Sequence, residues 1–158
     1  MAEDFIPFEG TKTEQYEYVL AQIEALCMAE SNAIANMANI CAVLREQFPW
    51  FWIGFYLVDT AANNLVLGPF QGPLACTRIP FGKGVCGTAW KRNETVVVPD
   101  VTQFEGHIAC SSLSQSEIVV PLRRNGAVWA ILDIDSEHLN TFDETDTQYL
   151  GRIADMII

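Results

Sequence analysis

The segment EIVVPLRRNGAVWAILDID, residues 117–135, contains two runs of apolar and β-branched residues separated only by Asn125-Gly126. Asn-Gly favours the tight turn that joins two antiparallel strands, because both residues accept positive φ angles. The segment therefore predicts a β-hairpin. Asp133 and Asp135 lie on one face of its second strand, since side chains alternate along a strand.

The acidic residues of this hairpin predict a functional or a solvent-facing surface. A tight turn places Glu117 opposite Ile134 and beside both aspartates. Carboxylates are costly to bury without a cation or hydrogen-bonding partner. The face therefore meets solvent, or it lines a pocket that binds a cation or holds an acid with a raised pKa. A metal site is disfavoured, because a metal beside a thiol without a well-placed histidine is unusual.

The sequence on both sides of the hairpin predicts a second hairpin, a short strand and helices near both ends. Hydrophobic periodicity, turn residues and capping patterns define them. Adjacent hairpins predict a mainly antiparallel central sheet, with helices from the N- and C-terminal ends packed on one side, in an α+β fold. The predicted elements are helix 13–29, helix 32–47 capped by Ser31, strands 51–58 and 65–70, a short helix near 87–92, strand 95–99 and a helix after the capping box Thr141-x-x-Glu144.

Length, composition and charge limit the classes of protein to consider. The 158 residues suit one domain over 1–158, and half of them are hydrophobic, which argues against disorder. The net charge of −11 disfavours binding to nucleic acid or to an anionic membrane surface. No apolar run approaches a membrane span, and the N-terminus lacks the pattern of a signal peptide. We expect a cytoplasmic protein.

The five cysteines divide into two groups. Cys27 and Cys41 fall on the apolar faces of the first two predicted helices, where free cysteines usually pack in the core. Cys76, Cys86 and Cys110 lie in loop-rich sequence, and their spacing fits no zinc signature. A structural disulfide framework is disfavoured without a secretion signal. Thiol redox chemistry remains, in which one cysteine attacks, another resolves and a third relays.

Aromatic residues are concentrated in the predicted strand 51–58. Trp52 and Tyr56 share one face of this strand, and Phe51 and Phe55 share the other. One set must belong to the core. The other set either packs as well or forms the wall of a small apolar pocket.

Several of these segments together resemble the free methionine-(R)-sulfoxide reductases, which are GAF-domain enzymes. The resemblance covers nearly the whole chain, and the three loop cysteines together with the acidic residues make it specific. It implies a GAF-like fold and reduction of free methionine-(R)-sulfoxide to methionine. The matching segments are WIGFYL, LGPFQGPLACTRIPFGKGVCGTAW, VPDV, HIACSSLSQSEIVVPL and ILDIDS.

The resemblance also implies a role for each candidate residue. Cys110 matches the cysteine that attacks the sulfoxide, Cys76 the resolving cysteine that forms a disulfide with it, and Cys86 an accessory cysteine. No cofactor is bound, because thioredoxin, reduced by NADPH through thioredoxin reductase, supplies the electrons. A homodimer is implied as well. The residues that match the substrate pocket are Glu117, Asp133, Asp135, Trp52 and Tyr56.

Two questions stay open at the level of sequence. Carboxylates near Cys110 disfavour its thiolate. His107, the ammonium of a substrate or amides at a helix N-terminus would each offset that effect. The second question is whether the chain catalyses a reaction, because a GAF domain that binds a small ligand or senses redox state without turnover is the alternative. Such a module would consume no NADPH in a thioredoxin-coupled assay.

Overall fold

The computed structural model describes residues 4–158, which form a six-stranded antiparallel sheet with four α-helices. The strand order across the sheet is β3-β2-β1-β6-β5-β4. In chain order the elements are α1 (Lys12–Ala29), α2 (Ala33–Gln47), β1 (Trp52–Asp59), β2 (Asn64–Gln71), β3 (Arg78–Pro80), α3 (Gly84–Arg92), β4 (Val96–Val98), β5 (Ser116–Arg124), β6 (Ala127–Ser136) and α4 (Glu144–Met156).

The two faces of the sheet carry separate apolar clusters. Helices α1, α2 and α4 cover one face, where Ile53 and Phe55 of β1 pack against them. Helix α3 and the loops beside it cover the other face, where Trp52 and Tyr56 lie. The predicted α+β plan, with helices from both chain ends on one side of an antiparallel sheet, is confirmed. Within residues 4–158, none of the helices has the length and apolar character that crossing a membrane requires.

Two predicted helix starts are wrong by one or two residues. The N-cap of α2 is Asn32 rather than Ser31, and its side chain accepts a hydrogen bond of 3.0 Å from the amide of Ala35. The capping box of α4 joins Asp143 and Asp146. The hydroxyl of Thr141 instead donates to Ser136, at 2.6 Å, so it is engaged before the helix begins.

Cys27 and Cys41 lie where the sequence predicts core or interface thiols. Cys41 on α2 is fully buried, and its thiol donates to the carbonyl of Pro69. Cys27 on α1 is half-buried and packs against the same cluster. Burial raises the pKa of Cys41 to about 12, so this thiol stays protonated and unreactive.

The β5–β6 hairpin contains a β-bulge near its turn. Arg123 faces Val128, as a tight Asn-Gly turn predicts, but Leu122 faces Ala130. Trp129 is therefore the extra residue on β6. A bulge of this kind shifts the register by one residue beyond the point where it occurs.

This bulge decides on which face of the sheet Glu117 lies. Glu117 faces Asp135, whereas the sequence predicts Ile134 as its partner, and that prediction is wrong. Directly opposite residues share a face, so a partner at Ile134 would have placed Glu117 among the apolar side chains under the helices. The one-residue shift moves it to the face that carries Asp133 and Asp135 instead.

Candidate active site

A cavity lies between the open face of the sheet and the cover formed by α3 and the loops on either side of it. The aromatic residues of β1 form part of its wall, and the acids of β5 and β6 form another part. Cys110 lies in the loop between β4 and β5, which closes over the cavity. The fold thus brings together residues from five separate stretches of sequence.

Cys76 and Cys110 are joined by a disulfide at this cavity. Cys76 belongs to the segment between β2 and β3, and the two Cα atoms are 5.5 Å apart. Both residues are half-buried. The pair that the family resemblance implies is therefore the pair that is bonded, while Cys86 is a free thiol.

The three acidic residues converge below the disulfide. Glu117 is 5% exposed and Asp133 is 6% exposed, and both line the cavity with Asp135. The Asp135 carboxyl accepts a hydrogen bond of 2.6 Å from the Ser114 hydroxyl. Oδ1 of Asp133 has no hydrogen-bond partner within the part of the chain that the structure describes. An unpartnered buried carboxyl oxygen is costly, so this atom is available to a ligand that donates hydrogen bonds.

Burial changes the protonation of these acids. It raises the pKa of Glu117 to about 8, and the neighbouring charge of Asp135 adds to the effect. The pKa of Asp133 and that of Asp135 are also raised, first by burial and then by the charge of a neighbouring acid. No lysine or arginine is among the cavity-lining residues of the described chain. The site therefore holds acids that keep protons near neutral pH and that favour a cationic ligand.

Trp52 and Tyr56 form an aromatic wall that backbone carbonyls hold in place. The indole nitrogen of Trp52 donates to the carbonyl of Pro73 at 3.0 Å, and the hydroxyl of Tyr56 donates to the carbonyl of Cys76 at 2.8 Å. Both side chains thus fix the segment that carries one half of the disulfide. Phe51, predicted on the opposite face, precedes β1 and also lines the cavity.

Cys86 lies on α3 beside the acids. Its thiol donates to Oε1 of Glu117 across 3.9 Å. Burial, followed by the charges of Asp133 and Glu117, raises the pKa of the Cys86 thiol well above its usual value. Cys86 is therefore held as a thiol, in contrast to a cysteine activated for attack.

The ligand atoms of Cys86, Glu117 and Asp133 lie within 4.8 Å of one another, which is close enough for a metal ion. This donor set mixes a soft thiolate with hard carboxylate oxygens. Both carboxyls and the thiol would also have to lose protons on metal binding. The same geometry suits an ammonium group, which donates hydrogen bonds to the carboxylates and leaves the thiol proton in place.

Two residues near the acids make contacts that the sequence does not predict. Ser114 precedes β5 and positions Asp135, but a serine in a polar loop gives no signal of that contact. His107 places its Nε2 atom 3.5 Å from Oε2 of Glu117. Both residues lie in the loop that carries Cys110, so the contact with the acids depends on how the loop folds over the sheet.

Comparison with known proteins identifies the family. A family model described as a GAF domain matches residues 36–157. The free methionine-R-sulfoxide reductase of Escherichia coli is 45% identical over 144 residues, which are 90% of this chain and 86% of that protein. The X-ray structure of free methionine-R-sulfoxide reductase from Neisseria meningitidis, in complex with its substrate, has 57% identity and a TM-score of 0.95, over 98% of this chain and 92% of that one.

This chain belongs to the free methionine-(R)-sulfoxide reductase family of GAF domains. A third relative is the GAF domain-containing protein A of Dictyostelium discoideum, which is 59% identical over 99% of both chains. The matches cover 90–99% of this chain and 86–99% of each relative. The likeness therefore extends over the sheet, the helices and the loops that carry the cysteines.

Proposed function

We propose that this chain reduces free methionine-(R)-sulfoxide to methionine by thiol chemistry. The observation that carries the proposal is the Cys76–Cys110 disulfide, which closes a cavity lined by protonated acids and aromatic side chains. A redox pair, a proton source and an apolar wall are the three components that this reduction needs. The names of the relatives support the same reaction.

The first step is an attack by the Cys110 thiolate on the sulfoxide sulfur. The sulfoxide oxygen takes a proton from a neighbouring carboxylic acid, which we assign to Glu117. The oxygen passes to Cys110 as a sulfenic acid, and methionine leaves with its sulfur reduced. The thiol of Cys76 then attacks the sulfenic sulfur, and its proton leaves with the hydroxyl group as water, while the disulfide forms.

The substrate is held by its ammonium group and its side chain. Asp133 and Asp135 accept hydrogen bonds from the ammonium, and the free Oδ1 atom of Asp133 supports this assignment. Trp52 and Tyr56 pack against the carbon chain. A methionine within a peptide has no α-ammonium, so it would leave the acids without a partner.

The protonated acids explain how Cys110 can form a thiolate in an acidic site. A carboxylate near a thiol disfavours its ionisation, whereas a neutral carboxylic acid does not. Burial keeps the acids protonated in the free enzyme. When a substrate binds, its positive charge offsets the carboxylates that ionise to hold it.

An external dithiol restores the two thiols by thiol–disulfide exchange. We assign this role to thioredoxin, which thioredoxin reductase and NADPH reduce, in the cytoplasm. The partial exposure of both cysteines supports access by such a partner. A homodimer and a single domain over residues 1–158 remain predictions from the sequence and the family.

Variants of the cysteines test the proposal. With free methionine-(R)-sulfoxide, Cys110→Ser should form no methionine, because an alcohol is a far poorer nucleophile than a thiolate. Cys76→Ser should form about one methionine per active site and then stop without an added small thiol, since the sulfenic acid has lost its partner. Quantifying methionine per active site, with and without thioredoxin, separates these results.

Cys27→Ser and Cys41→Ser are the matched controls, because both thiols lie outside the cavity. They should keep the activity and lose at most some stability. Normal turnover by Cys110→Ser would overturn the assignment. Binding of the sulfoxide without methionine formation in the unmodified protein would indicate a ligand-binding GAF module instead.

Substrate specificity provides a separate prediction. The R epimer of free methionine sulfoxide should be consumed, while the S epimer and the N-acetyl form should react poorly. An N-acetyl group removes the ammonium and leaves buried acids unpaired, which is a strong basis for rejection. Chiral chromatography of a racemic mixture after reaction gives the result. Equal loss of both epimers, or fast turnover of the N-acetyl form, would contradict the pocket.

A further inference from the structure

The two carboxyl oxygens of Glu117 face different neighbours. Oε1 lies 3.9 Å from the thiol sulfur of Cys86, and Oε2 lies 3.5 Å from Nε2 of His107. The Glu117 side chain is 6% exposed, whereas the His107 side chain is 15% exposed. His107 is therefore in contact with solvent on one side and with the buried acid on the other.

The proposed reaction makes this contact important. Each turnover moves one proton from Glu117 to the sulfoxide oxygen, and the loss of that proton leaves Glu117 ionised. The thiol proton of Cys110, released when the thiolate forms, balances that loss, but it must reach a carboxyl group that is almost without solvent contact. The charge of Asp135 also raises the cost of a charge on Glu117, because like charges repel in a low dielectric.

We propose that His107 is the proton-relay residue that returns a proton to Glu117 after each transfer to the substrate. The relay rests on the proposed function. His107 takes a proton from solvent at one ring nitrogen and releases the proton of its other ring nitrogen to Oε2 of Glu117. No bond to the substrate is made or broken by His107, and one proton enters for each proton that Glu117 gives up.

The chemistry of His107 fits this role. Burial lowers its pKa, so the ring is neutral near neutral pH and has one nitrogen that accepts a proton and one that donates. The backbone amide of His107 donates to the carbonyl of Phe104 at 3.2 Å, which holds the loop turn that carries the ring. The titratable groups that share the cavity with it are Tyr56 on β1, Cys86 on α3, Glu117 on β5, Asp133 and Asp135 on β6, and Cys110 on the same loop when reduced.

Kinetics of two glutamine variants test the relay. His107→Gln keeps a hydrogen-bond donor but cannot pass a proton, so the rate of methionine formation should fall by about 10- to 100-fold. KM should stay within about twofold, since the ammonium contacts are unchanged. Imidazole added to the buffer should restore part of the rate. His138→Gln is the matched control, because His138 is the other histidine of the chain and is exposed.

Three kinetic results would overturn the relay. One is a rate of His107→Gln within about twofold of the unmodified enzyme. Another is a loss that appears only in KM, which would indicate a contact to the substrate. The third is a loss of rate that imidazole does not restore, which would indicate a structural role for the ring.

NMR tests the contact separately from the reaction. Glu117→Gln should move the ring nitrogen chemical shifts of His107 and leave those of His138 unchanged. If the His107 shifts do not respond, the contact is absent and the relay is wrong even when the enzyme is active. If they respond but the unmodified protein forms no methionine from any sulfoxide, the proposed function fails and the relay fails with it.

Discussion

At the scale of the residue, Glu117 shows how burial converts an acid into a proton donor. Its pKa rises to about 8 from a reference value of 4.5 because the carboxyl group is removed from water. A raised pKa means that the folded state binds this proton more tightly than the unfolded state does. The contribution of Glu117 to stability is therefore complete below about pH 4.5 and is lost as the pH rises to about 8.

This linkage predicts a pH dependence that a single substitution reduces. The free energy of unfolding should fall between about pH 5 and about pH 8, on the order of a few kcal/mol. Glu117→Gln should flatten part of this fall, because an amide does not ionise. Urea denaturation of both proteins at several pH values gives the slopes.

Glu137→Gln is the matched control, because Glu137 is exposed just after β6. Its substitution should leave the pH dependence of the unmodified protein in place. Parallel curves for Glu117→Gln and the unmodified protein would contradict the raised pKa of Glu117. Such a result would not contradict the proposed role of Cys110.

At the scale of the element, β1 can hold its aromatic wall only because position 54 lacks a side chain. A Cβ atom on Gly54 would lie 2.5 Å from Cβ of Phe70 and 2.5 Å from the ring of Trp52. Trp52 stacks on Phe70 with ring centres 5.5 Å apart. The glycine thus sets the position of the indole at the cavity.

Gly54→Ala should therefore displace Trp52 and affect both stability and binding. Overpacking of this kind costs about 1–3 kcal/mol. KM should rise more than the maximal rate falls, because Trp52 is proposed to contact the substrate rather than the reacting atoms. Urea denaturation and steady-state kinetics measure the two effects.

Gly151→Ala provides the opposite case in helix α4. A Cβ atom at Gly151 meets no other atom within 4 Å. Alanine should stabilise the helix by about 0.5–1 kcal/mol, because it restricts the unfolded chain more than glycine does. The kinetics should not change. A loss of stability in Gly151→Ala, or none in Gly54→Ala, would contradict the packing described for these two elements.

At the scale of the whole molecule, the disulfide ties together two loops that are far apart in sequence. Cys76 and Cys110 are separated by 34 positions, and the enclosed segment contains β3, α3 and β4. A cross-link that closes a loop of this length lowers the conformational entropy of the unfolded chain. The chain-entropy model gives a stabilisation of the folded state of at most about 4 kcal/mol. The redox state should thus change global stability as well as activity.

The oxidised protein should have a higher thermal midpoint than the reduced protein. Calorimetry with and without a reducing agent measures the difference. In Cys76→Ser the midpoint should not depend on the reducing agent, while Cys27→Ser should keep the full dependence. Equal midpoints for both redox states of the unmodified protein would mean that strain in the folded state offsets the entropic gain.

Much of the fold follows from local sequence. The Asn125-Gly126 turn, the alternation of side chains and the helical stripes act over a few residues, so the hairpins and the terminal helices could be predicted. Strand β3 was not predicted, because its three residues become a strand only by pairing with Asn64–Val66 of β2. Helix α3 begins at Gly84, three residues before the predicted region. Its N-cap residue, Lys83, makes no side-chain capping hydrogen bond, so the sequence has no capping pattern that marks this start.

The candidate site depends more strongly on the tertiary structure. The sequence alone determined that Asp133 and Asp135 share a face, because alternation along one strand requires only that strand. The side on which Glu117 lies was decided by the bulge at Trp129, which exists only in the paired hairpin. The position of His107 was decided by the fold of the loop over the sheet. The raised pKa values of the three acids also depend on the tertiary structure. Segments that are distant in sequence bury these acids, and those segments become adjacent only after folding.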